Sequence, residues 1–205
     1  EAAVGVTSRA QALIVFEGRT DKRLAVMTGD FVPSPTLFLR TPFRLLGENA
    51  GAAGTTQTGY YWKISYNRFS LDRQEDPETG GIGPASPTYN YGTEVTGQFL
   101  AAAPVFAVQS LRPDGSVPWR GEVGIGAGYL SLDGDVALED PAGGPAMIIQ
   151  DLDYSGPAVF VFVAGQHNWK ALLLGFQMGI MATSSRPYSF SQSFVSLDVG
   201  FRKLF

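Results

Sequence analysis

The sequence predicts an all-β chain, eight antiparallel strands closed into a transmembrane β-barrel, as a single domain over 1–205. Three observations carry this. Apolar and polar residues alternate over about eight segments, as in strands with two unlike faces. Charged residues make up 17% of the chain, below the roughly 25% usual for soluble domains. Mean hydropathy is only +0.03, and no run approaches the roughly 18 apolar residues of a spanning helix. Few charges without an apolar block is what membrane strands give, because only alternate residues face lipid.

Taken in order, the period-2 segments are Val6 to Glu17, Thr36 to Leu46, Gly59 to Leu71, Thr93 to Gln109, Trp119 to Leu132, Ala158 to Gly165, Trp169 to Ala182 and Tyr188 to Phe205. Turn residues Asp30, Pro33 and Pro35 mark the first connection, and a glycine–alanine stretch the second. The connections over 72–92 and 133–155 are long and polar. A tight turn is expected at Pro113-Asp114-Gly115, another at Gln166-His167-Asn168, and a last one at Ser184-Ser185-Arg186-Pro187.

The last segment has the clearest pattern. Counting back in twos, Phe205, Lys203, Phe201, Val199, Leu197 and Val195 form one row; Leu204, Arg202, Gly200, Asp198 and Ser196 form the other. The stretch resembles the C-terminal signature strand of Gram-negative outer-membrane β-barrels. The resemblance implies that Phe201 and Phe205 are read by the barrel insertion machinery; Lys203 departs from the pattern. With Phe205 on the periplasmic side, connections 72–92 and 133–155 fall outside the cell and the plainer ones inside, the outer-membrane arrangement. Glu1-Ala2-Ala3 reads as a mature N-terminus left after removal of an export signal. A soluble lipocalin-like barrel would alternate equally with its faces reversed. Low charge, the terminal aromatic, and rings near strand ends (Tyr60, Trp62, Trp119, Tyr129, Trp169) favour the membrane form, in contact with outer-membrane lipid and lipopolysaccharide.

Charges opposite the apolar rows point to the lumen. Arg40, Arg44, Lys63, Glu94, Glu122, Asp198 and Arg202 are expected to pair there, since a lone buried charge is costly. An eight-stranded barrel is just wide enough to be filled by side chains, so the lumen should be plugged. Pro42 and Pro104 interrupt apparent strands and mark possible breaks in the wall. Other motifs carry less. His167 sits in a polar turn, and Gly124 to Gly128 imitates a dinucleotide fingerprint without the helix that motif requires. The acidic stretch 133–153 lacks calcium-loop spacing. Neither a cofactor nor a metal site is expected, and a net charge of −4 gives no nucleic-acid footprint.

The segment Ala103-Pro104-Val105-Phe106, followed after a short turn by Glu122 to Gly128, resembles the lipid A deacylase barrels and their non-enzymatic relatives. That resemblance implies the fold and the membrane. The His-x-Ser expected of the deacylases is missing from the penultimate strand, which reads Leu172-Leu-Leu-Gly-Phe-Gln-Met-Gly-Ile-Met181. Three functions follow in order of preference: a non-enzymatic anchor or interaction module using loops 72–92 and 133–155, passage of small hydrophobic molecules through a lateral opening, and a lipid A-modifying enzyme.

Overall fold

A computed structural model describes residues 2–17, 23–46, 56–75, 88–89, 94–139, 147–183 and 188–203. Eight long strands form the wall: β1 Ala2–Glu17, β2 Arg23–Arg40, β3 Thr56–Leu71, β4 Val95–Ser110, β5 Trp119–Glu139, β6 Met147–Trp169, β7 Leu172–Ala182 and β8 Tyr188–Lys203. Each pairs antiparallel with its sequence neighbours, and β8 returns to β1 from Ala2↔Lys203 to Glu17↔Tyr188. The sheet is closed. Short strands Arg44–Leu45, Arg73–Glu75 and Thr88–Tyr89 extend it locally. The β4–β5 and β6–β7 turns lie at one end, called lower here. The latter turns at Lys170 (φ 55°).

Side chains face as an outer-membrane barrel requires. Leu197, Val199 and Phe201 point outward and are 54%, 51% and 70% exposed. Trp62, Phe106, Trp119, Trp169 and Phe201 ring the lower rim on the outside. On β5 the outward apolar row runs from Trp119 to Tyr129. Ten steps at about 3.3 Å, tilted about 40°, give a band about 25 Å tall, the height of an outer-membrane hydrocarbon zone. The chain's place is the bacterial outer membrane.

Above Tyr129 the faces exchange their chemistry without any slip in register. Below that level β5 shows Trp119, Val123, Ile125 and Tyr129 outward and Arg120, Glu122 and glycines inward. Above it, Asp133 and Asp135 face out while Leu130, Leu132 and Val136 are buried. β6 does the same, with Val159, Val161 and Val163 giving way to Asp151 and Asp153 outside and Leu152 within. On β3, Arg68 follows Tyr66 outside while Phe69 and Leu71 are buried. This is where the wall leaves lipid for water and the ordinary rule of soluble proteins resumes.

Several sequence expectations change accordingly. The connection expected over 133–155 is for the most part a paired ribbon, Asp133↔Asp153 to Glu139↔Met147, continuing β5 and β6. Gln166, His167 and Asn168 belong to β6 rather than to a turn; Gln166 and Asn168 face the lumen and His167 faces outward. Pro33 and Pro35 lie within β2. Of the connection 72–92, only the short strands and Asp72 are described.

Candidate functional site

The lower lumen is where the chain concentrates its buried polar groups. Alternation turns Phe38 and Arg40 inward from β2, Tyr61 and Lys63 from β3, Arg120 and Glu122 from β5, and Gln166 from β6. They meet at Glu122. Arg40 Nη2 donates to Glu122 Oε1 at 2.8 Å, and Lys63 Nζ to Glu122 Oε2 at 3.2 Å. Each cation reaches a glutamine on a further strand: Arg40 the Gln166 Oε1 at 2.6 Å, Lys63 the Gln177 Oε1 at 3.2 Å. The tier therefore ties five strands across the bore.

Aromatic rings complete the solvation of these cations. The Arg40 guanidinium lies 4.5 Å from the Phe38 ring centre, and Lys63 Nζ lies 4.8 Å from that of Phe162. Negative ring faces take the place of part of the cations' hydration. Below this tier is a second one. Arg120 Nε donates to Gln109 Oε1 at 3.1 Å, Gln109 Nε2 to Gln57 Oε1 at 3.2 Å, and Asn168 Nδ2 to the Val117 carbonyl at 2.8 Å. Above lies an aromatic tier in which Phe99 meets Phe160 edge-on at 5.3 Å and Phe160 stacks on Phe162 at 5.8 Å.

Asp198, expected in the network, stands to one side of it. Its Oδ1 accepts from Thr7 Oγ1 at 2.7 Å, and it shares with Arg40, Lys63 and Glu122 the lining of a cavity of about 30 Å³. That is the space of about one water molecule. A second cavity of about 10 Å³ lies higher, among Phe99, Phe160 and Phe194.

Arg44 and Glu94 are elsewhere, for identifiable reasons. Arg40 pairs with Lys63 but Arg44 pairs with Tyr60, so β2 gains one residue relative to β3 between them. The Thr41 N–H still donates to the Trp62 carbonyl at 3.0 Å, which places this bulge at Pro42 and Phe43. One extra residue reverses the alternation: Arg44 faces out, and Phe43 packs inward 6.3 Å from Tyr61. Glu94 lies above the apolar band with β4's outward row, and accepts from Ser70 Oγ at 3.3 Å. The side chain of Arg202, and all of Phe205, lie outside the described residues.

Neither marked proline breaks the wall. Pro42 occupies the bulge. Pro104 faces outward opposite Trp62, and the β4–β5 ladder passes from Ala102↔Ala127 to Val105↔Gly124 without a change of register. The Ala102 carbonyl remains close against Gly126, so the strands stay apposed. The interruption lies instead between β2 and β3. Pairing stops at Thr36↔Asn67 and resumes at Thr28↔Arg73, with Pro33 and Pro35 in the span between. Over that span β2 carries two more residues than the facing chain.

Sequence reasoning missed Arg120, Gln57, Gln109, Gln166 and Gln177. Arg120 carried a usable signal, being two residues before Glu122 and so on the same face. The glutamines did not, since an uncharged polar residue on an inward row reads equally as turn or filler.

No family model matches the chain, and no curated protein does. The resemblance to the lipid A deacylases is thus unsupported. Among solved structures the chain is similar to Ail, the attachment invasion locus protein of Yersinia pestis, in complex with the heparin analogue sucrose octasulfate. That match has 12% identity, covers 97% of this chain and 99% of that one, and has a TM-score of 0.35. It is also similar to Neisserial surface protein A, at 10% identity, 99% coverage of both chains and a TM-score of 0.43. At such values the likeness says nothing of which residues act; the eight-stranded outer-membrane barrel rests on the strand register and the outward apolar band.

Proposed function

We propose that this chain is a non-enzymatic, non-conducting outer-membrane module: a plugged stem, seated in outer-membrane lipid, that offers its upper ribbon to a partner outside the cell. The observation that carries the reading is the filled bore. Arg40, Lys63 and Glu122 are bound to one another in the lower lumen, and the cavities of about 30 and 10 Å³ within the bore leave no continuous path through it. Among the described residues, the longest element above the apolar band is the β5–β6 ribbon, which runs about 30 Å beyond Leu130. Reconstituted into planar lipid bilayers, the protein should give no conductance steps above background. Stable steps would overturn the plug, and an altered lipid A mass profile on expression would overturn the non-enzymatic part.

A second reading, lateral passage of small hydrophobic molecules, is favoured by one observation only, the interrupted β2–β3 seam. Its place would be Pro33–Pro35 rather than Pro42 or Pro104. Pro35 and Arg68 are both exposed and flank the seam just above Thr36↔Asn67. A Pro35→Cys/Arg68→Cys disulfide should slow uptake of a fluorescent hydrophobic probe into vesicles if this route is used; equal uptake dismisses it.

A further inference from the structure

The ribbon that the proposed function puts forward has an open side. β6 runs from Met147 to Trp169, but its ladder with β7 begins at Val159↔Ala182. Thr183 N–H bonds the Phe190 carbonyl, the last described link between β7 and β8 at the upper end. Among the described residues, nothing pairs with Met147–Tyr154 on the side away from β5.

Alternation identifies which backbone groups lie there. The register between β5 and β6 is constant from Trp119↔His167 to Glu139↔Met147. Asn168 N–H bonds the Pro118 carbonyl, so even-numbered residues of β6 direct their backbone groups to β5. Odd-numbered ones, including Asp151 and Asp153, direct theirs to the open side. Pro157 fits this, because its missing N–H falls on the side where no ladder needs it. The same odd residues point their side chains outward. The open edge is therefore flanked by four exposed carboxylates, those of Asp151 and Asp153 and those directly opposite on β5, Asp135 and Asp133. Like charges facing across a ladder destabilise it unless a counter-charge joins them.

We infer that the upper edge of β6 is a docking site for an extended, cationic segment of a partner protein, which adds a strand beside Asp151 and Asp153 and sets basic side chains against the carboxylate face. A strand edge supplies the backbone pairing, and alternate side chains supply the choice of partner. A second copy of this chain is the wrong occupant, because it would bring the same four carboxylates to the contact. The chain's own acidic stretch Asp76-Pro77-Glu78 is also wrong by its sequence, since it repeats the negative charge and carries a proline. The inference rests on the ribbon-presenting role proposed above but fails separately, since conductance does not depend on the ribbon's edge.

The test uses the full chain in lipid nanodiscs and a fluorescent ten-residue peptide alternating lysine and threonine, read by anisotropy. Binding is expected, and Asp151→Asn/Asp153→Asn should weaken it about tenfold or more. A version of the peptide N-methylated at alternate residues, which keeps the charge but cannot pair along one edge, should lose binding to the wild type. Asp153→Pro removes one edge N–H and should weaken binding more than Asp153→Asn does, with the heat-modifiable gel mobility of the barrel unchanged. No binding to the wild type overturns the inference. So does binding that survives N-methylation, because it would be charge attraction without strand addition.

Discussion

The Glu122 carboxylate is the hub of the stem because two cations from different strands share its two oxygens. Removing one member of a buried ion cluster leaves the others uncompensated, at a cost of about 3–5 kcal/mol. Glu122→Gln should therefore lower the unfolding free energy by about that much in denaturant titrations in detergent. The cluster is a poor stabiliser relative to an apolar filling, so Arg40→Met/Lys63→Leu/Glu122→Leu should recover most of the loss. A different kind of constraint acts at Gly97. The Phe69 ring lies over it so closely that a methyl group would overlap the ring carbons. Gly97→Ala should cost about 1–3 kcal/mol through overpacking, and Gly97→Ala/Phe69→Leu should give part of that back. Lys63 and Glu122 were legible as lumen charges from parity alone. Arg44 was not, because parity counted from Arg40 fails at a bulge whose only trace in the sequence is Pro42.

At the level of elements, that bulge and the face exchange explain where reading in twos stops working. Phe43, turned inward by the extra residue, comes within 6.3 Å of Tyr61, and the Arg120 guanidinium lies 5.9 Å from its ring centre. Deleting Pro42 would remove the extra residue without moving the faces, because Arg40 in, Thr41 out, Phe43 in and Arg44 out then alternate strictly against Lys63 to Tyr60. The expected result is a barrel with its heat-modifiable mobility and urea midpoint kept; a lowered midpoint would show that the bulge itself, and not only the placing of Phe43, supports the plug. β5 and β6 escaped full recognition for another reason. Their period of two holds from Trp119 to Val136 and from Asp151 to Trp169, but the apolar row changes sides between Tyr129 and Leu130, so the pattern read as a strand ending near Leu132. Gln166 and Asn168 had the same effect lower down, polar residues in a strand taking on the look of a turn.

For the whole molecule, the eight-strand closure was legible because membrane and lumen select opposite chemistry at every second residue. The depth of the chain in the bilayer can be checked directly. Trp62, Trp119 and Trp169, all three tryptophans of the chain, sit outward at the lower rim. In vesicles, lipids brominated near the headgroup should quench them more strongly than lipids brominated at the acyl terminus; the reverse order would misplace the band. The part above Tyr129 obeys different solvent rules. With Leu132, Val136 and Leu152 inside and aspartates outside, it is built like a water-soluble protein grafted on a lipid-soluble one. Its cohesion should then depend little on the surrounding amphiphile. As detergent is diluted away, amide exchange should quicken first around the tryptophan girdle, while the crown of the barrel stays protected.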